Sequence, residues 1–146
     1  MKDIHSALLA ALAIEAAVFN ADNVPAAIDL LGYDAAELVL LIGAGGIVFT
    51  NANKIEFKLT HSDDDVSYTA VDIGDLLGVD AVGEGGIIKA LTAAHPTAAA
   101  YRFGYKGGKR YLKLLADFSG AHGTGTALGA VVLKGWGQDN PQVNQA

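Results

Sequence analysis

The stretch AAAYRFGYKGGKRYLKLLADFSGAHGTGTALGAVVLKG, residues 98 to 135, constrains the fold more than any other part of the chain. Tyr101, Phe103 and Tyr105 alternate with Arg102, Gly104 and Lys106. A two-residue period puts the three rings on one face of a β-strand. Gly107 and Gly108 supply a turn where positive φ costs little. The chain then returns with Leu112, Leu114, Ala116 and Phe118 sharing one face, and residues 126 to 134 form a third, mostly apolar strand. Read locally, this is a three-stranded meander. Its apolar face needs a cover, no crossover helix is in sight, and a second sheet is the expected partner.

The rest of the chain is read in the same way. KIEFKLT, residues 54 to 60, alternates cleanly, with Ile55, Phe57 and Leu59 inward and Lys54, Glu56, Lys58 and Thr60 outward. With VSYTAV, residues 66 to 71, it makes a hairpin around the polar loop HSDDD. ELVLLIG, residues 37 to 43, is nearly continuous in apolar side chains and predicts a strand buried at a sheet centre. Residues 26 to 31, 47 to 50 and 87 to 91 are further strand candidates, and Asp75 to Leu77 fits a short helical turn. Roughly seven to nine short strands are typical of a sandwich or jelly roll. The predicted fold class is all-β: a two-sheet antiparallel β-sandwich of jelly-roll type with an extended or short helical N-terminal arm.

In this reading residues 1 to 24 form an N-terminal arm or first strand, 25 to 136 the sandwich, and 137 to 146 a flexible C-terminal tail. Residues 1 to 13, rich in Ala and Leu, fit a short packed helix or an extended arm lying on a neighbour. Lys2 and the apolar run 8 to 14 resemble the start of a secretion signal. Asp3 before the run and Glu15 after it argue against that, and the run is too short to span a bilayer. A net charge of −6 argues against non-specific binding to nucleic acid. The absence of cysteine excludes disulfides, thiolate metal sites and cysteine nucleophiles.

Several tempting motifs carry a plainer reading. LVLLIGAGGIVF, residues 38 to 49, suggests a dinucleotide loop, but Val48 stands where a third small residue is required and a strand follows in place of a helix. It is read as a glycine loop between strands. Asp63, Asp64 and Asp65 lack the spacing of a calcium loop. The four histidines show no zinc spacing, and Asp117, Ser119 and His122 lack a nucleophile elbow. No catalytic, cofactor or metal site is predicted, and the chain is read as a non-enzyme. Lys106, Lys109 and Arg110 form the dense basic patch. With Tyr105 they suit an acidic protein surface better than nucleic acid. Trp136 is read as a lid over the core or an interface anchor. Ile4, Leu8 and Leu9 complete the protein-interface candidates.

Three blocks, IDLLGYDAAELVLLIGA (28 to 44), IEFKLTHSDDDVSYTAVD (55 to 72) and YRFGYKGGKRYLKLLADFSGAHGTGTALGAVVLKG (101 to 135), carry a resemblance. Over about residues 25 to 136 the chain resembles small structural proteins of tailed bacteriophages and prophages, encoded near the capsid and head–tail genes. The resemblance implies a capsid decoration (cement) protein bound across junctions of the major capsid protein, stabilising the head from the virion exterior after synthesis in the host bacterial cytoplasm. It implies a homo-oligomer, commonly a trimer, with no nucleic-acid or membrane partner. It also marks Tyr105, Gly107, Gly108, Arg110 and Tyr111 as a shared hairpin. The tail WGQDNPQVNQA and the Ala-rich start depart from the pattern. A neck or tail component of the same virion is the first alternative. A carbohydrate-binding sandwich using Tyr33, Tyr68, Tyr105 and Trp136 is the second.

Overall fold

The computed structural model describes residues 3–146, so Lys2 and the first residues of the expected arm lie outside it. Ten strands form two antiparallel sheets: β1 (Leu8–Phe19), β2 (Ile28–Asp29), β3 (Tyr33–Ile42), β4 (Lys54–Ser62), β5 (Thr69–Ala70), β6 (Leu76–Leu77), β7 (Ile87–Leu91), β8 (Ala99–Tyr105), β9 (Tyr111–Ser119) and β10 (Thr126–Gly137). Sheet A has the order β1-β10-β3-β8-β6. Sheet B runs β2-β9-β4, and the other edge of β4 is shared by β7 along Ile55 to Lys58 and β5 at Thr60 and His61.

The alternation in the sequence explains the core. Leu38, Leu40 and Ile42 of β3 and Leu128, Ala130 and Val132 of β10 point inward from sheet A. Ile55, Phe57 and Leu59 of β4 and Leu112, Leu114 and Ala116 of β9 meet them from sheet B. Two facing sheets of alternating strands bury one side of each strand and leave the other side out. The inward and outward faces predicted for residues 54 to 60 are those observed.

The three-stranded meander is not formed. β8 and β10 lie in sheet A, β9 lies in sheet B, and none of the three pairs with another. Residues 106 to 110 therefore arch from one sheet to the other, and residues 120 to 125 arch back. The shared hairpin expected at Tyr105 to Tyr111 is this first arch. A hairpin and an arch bury the same alternate side chains, so the local pattern fits both. Long-range pairing decides: β3 takes β8 on one side and β10 on the other.

The N-terminal segment is a strand. β1 pairs with β10 from Leu8↔Gly135 to Phe19↔Thr126, and Ala13 and Ile14 enter the core. The one helical piece before it among the described residues is the 3-10 turn His5–Ala7. Ala and Leu favour helix locally, but pairing along β10 overrides that propensity. Residues 47 to 50 form no strand, although Phe49 is fully buried. A single turn of 3-10 helix, Ile73–Asp75, precedes β6. Its Asp72 side chain caps Gly74 N–H at 2.6 Å while Asp75 reaches back to Asp72 N–H at 2.9 Å.

The glycine loop expected between strands is present, and no helix follows it. Gly45 N–H donates to His95 O at 2.7 Å and Gly46 N–H to Thr126 Oγ1 at 3.2 Å. A Cβ on Gly46 would lie 1.6 Å from Gly125 O, so two backbone segments meet where only glycine fits.

Candidate docking surface

The two outer faces differ in chemistry. On sheet B the outward face carries several charged side chains that pair with one another, among Thr60, Leu115 and Ser119. Lys54 binds Glu56 and Lys58 binds Asp117. The hydrogen bond to Asp117 raises the Lys58 pKa. Lys113 sits 4.0 Å from the Tyr68 ring centre and 3.7 Å from Asp65.

Sheet A presents an apolar exterior. Register rows place Leu12, Val131, Val39 and Arg102 side by side, then Ala10, Leu133, Glu37, Gly104 and Leu77, then Gly129, Leu41 and Ala100. Leu12, Leu41 and Leu77 are all more than half exposed. Among the described residues one ion pair interrupts the face, Arg102 to Glu37 at 3.5 Å. A contiguous apolar exterior of this kind makes the outer face of sheet A the candidate docking surface.

A groove of about 620 Å³ opens at the end of the sandwich where β6 and the 106 to 110 arch lie. Tyr105, Lys106, Lys109, Arg110 and Trp136, predicted separately from the sequence, all line it, together with Tyr33. Trp136 is 74% exposed with φ of 49°. Tyr105 is different. It is 8% exposed, and burial raises its pKa. Its hydroxyl accepts the Lys109 N–H at 3.0 Å and meets His61 Nδ1 at 3.0 Å. Tyr105 thus holds the arch in place and offers little to a partner.

The basic patch is largely neutralised within the chain. Arg110 donates two hydrogen bonds to Asp29, at 2.8 and 2.7 Å, and holds the Asp29 pKa down at about 2. Lys109 lies 3.9 Å from Asp63. Lys106 is exposed, and among the described residues its ammonium forms no ion pair. Asp29 is 81 residues from Arg110, so sequence proximity gave no sign of the pairing.

Ile4 is exposed, and Leu8 and Leu9 are half-buried at the start of β1. Leu8 lies beside Gly135, next to Trp136, so the N-terminal candidates reach the same end of sheet A as the groove. The C-terminal residues gather there too. Gln142 N–H donates to Ser6 O at 3.0 Å, and Tyr33 Oη donates to Gln142 Oε1 at 2.7 Å.

The other motifs resolve into structure. Asp64 accepts from Val66 N–H, Ser67 N–H and Ser62 Oγ, which lowers its pKa to about 2 and shapes the acidic loop. His122 Nε2 lies 2.9 Å from the Ser119 carbonyl, not its hydroxyl, and its ring packs on Phe118. Asp117 is engaged by Lys58. Among the described residues no three His, Cys, Asp or Glu side chains converge as a metal site.

What this geometry defines is an antiparallel two-sheet sandwich with one charged outer face, one apolar outer face, and an aromatic groove at one end. No family model, curated protein or solved structure matches the chain.

Proposed function

We propose that the protein is a structural component that beds the outer face of sheet A on a larger protein assembly, acting as a decoration protein of a phage head across junctions of the major capsid protein. The apolar exterior of sheet A is the observation that carries the docking role. The resemblance of residues 28 to 44, 55 to 72 and 101 to 135 supplies the particle. A jelly-roll type of closure belongs to the same reading, because such folds pass the chain back and forth between sheets, as the 106 to 110 and 120 to 125 arches do. In this role the chain does no chemistry. It adds buried area across a joint, and many copies repeated by symmetry stabilise the shell through avidity.

The test replaces Leu12 and Leu41 by Lys in the full chain and measures occupancy on purified heads. Both side chains are exposed, so the variant keeps its circular dichroism spectrum and thermal transition. The expected result is loss of binding to the heads. Unchanged occupancy overturns the docking face. Labelling confined to one vertex moves the protein to the neck or tail.

The pairing of exposed Trp136 with Tyr33 in one groove favours a second reading, a glycan-binding site. Trp136→Ala with a glycan array tests it, and silence of the unchanged chain removes it.

A further inference from the structure

The free edge of β1 carries an unusual cap. Ala10 lies opposite Leu133 of β10, yet its own N–H and C=O turn the other way, toward the open edge. There the side chain of Gln145 closes both bonds: Ala10 N–H donates to Gln145 Oε1 at 3.0 Å, and Gln145 Nε2 donates to Ala10 O at 2.9 Å. One donor and one acceptor presented together reproduce what a strand residue offers its opposite number in a hydrogen-bonded antiparallel pair. The carboxamide stands where another strand would stand.

The segment around Ala10 is built to pair with itself. Residues 8 to 12 read LLAAL. In antiparallel register about Ala10, Leu8 faces Leu12 of the other copy, Leu9 faces Ala11, and Ala10 faces Ala10. Each large side chain on the inner face meets a small one, and the outer face repeats Leu, Ala, Leu in both directions. The sole charged residue of β1, Glu15, runs toward His5 of the other copy, so no like charges meet. The register shift after Leu12 ends the regular stretch, which confines pairing to these residues. No lysine or proline blunts this edge, the usual protections against strand addition.

We infer that β1 is a strand-addition edge for a second copy of this chain, and that Gln145 at the C-terminus occupies it until that copy arrives. Two protomers join through residues 8 to 12 about a two-fold axis, extending sheet A across both. Ala10 of each replaces the carboxamide on the other, and the tail is displaced. This inference stands apart from the shell reading, since self-association is measured on the purified protein without heads.

Sedimentation velocity over a dilution series tests it with the full chain. Gln145→Ala removes the competing cap and strengthens self-association about tenfold, which corresponds to about 1.4 kcal/mol. Leu8→Lys with Leu12→Lys sets like charges against each other across the axis and abolishes association. Leu8→Lys with Leu12→Glu restores it, because each Lys then faces a Glu. Thermal unfolding confirms that each variant is folded, and the Gln145→Ala comparison decides alone if a charged variant is not. Equal association of Gln145→Ala and the unchanged chain overturns the inference. So does equal association of the two charged variants, or a monomer throughout.

Discussion

His61 and Tyr105 join the two sheets through a buried polar contact, Nδ1 to hydroxyl at 3.0 Å. His61 belongs to β4 of sheet B and Tyr105 to β8 of sheet A. The rings meet edge to face with centroids 5.9 Å apart. Because the same hydroxyl accepts the Lys109 N–H, one oxygen ties both sheets to the groove arch. Tyr105→Phe leaves a buried nitrogen and a backbone N–H unpaired, and about 1–3 kcal/mol of stability is lost. Urea denaturation measures it, and faster amide exchange at Lys109 locates it.

Burial lowers the pKa of His61 below its ordinary 6.5, against the opposing pull of Asp75, whose carboxylate lies 3.9 Å from Nε2. Asp63 and Asp72 also favour the charged ring, and Lys109 opposes it. The unfolded chain therefore takes up a proton at higher pH than the folded one. Stability is fully present above the unfolded value and falls as pH drops through the folded value. The midpoint of urea unfolding declines as pH falls through the ordinary imidazole value of 6.5 and below it, and His61→Gln flattens that decline. A wild-type slope retained in His61→Gln assigns the effect to another group.

Asp29 is held at about 2 by its two-pronged contact with Arg110. Its contribution is complete above the ordinary carboxylate value of 3.8 and is lost as pH falls toward 2. Both side chains are substantially exposed, so Asp29→Asn costs only about 0.5–1 kcal/mol. Carbon-detected NMR titration of Asp29 follows the group directly. In Arg110→Ala its midpoint moves up toward the ordinary value.

Adjacent leucines of β3 separate the core from the outer face of sheet A. Leu40 is 0% exposed and Leu41 is 53% exposed. Leu40→Ala destabilises by about 2–5 kcal/mol. Leu41→Ala changes stability by no more than about 0.5 kcal/mol. Comparable losses from both show that the outer face of sheet A is covered in the folded chain.

Gly46→Ala forces a methyl group onto the carbonyl of Gly125. The two loops must separate, at a cost of about 1–3 kcal/mol or more. A lowered thermal midpoint is the expected result.

The sandwich was legible because its strands alternate. Alternation places Phe57, Leu59, Phe103 and Leu114 inward, and all are buried. Topology was not, because the arch at residues 106 to 110 and a hairpin leave the same pattern. The nearly continuous apolar run at residues 37 to 43 predicts a strand at a sheet centre, and β3 is the central strand of sheet A with Leu38, Leu40 and Ile42 buried, while Val39 and Leu41 point outward. The groove residues were found one by one from their chemistry. Their neutralising partners, Asp29 and Asp63, come from other strands and loops, and only folding brings them to the arch.

The register of Leu8 against Gly135 has a consequence for synthesis. On the ribosome the first strand emerges long before β10, its one neighbour among the described strands, and sheet A stays open until β10 leaves the exit tunnel. The Leu- and Ala-rich strand waits without its partner while β2 to β9 are made, so closing sheet A is a late step in the folding of this sandwich.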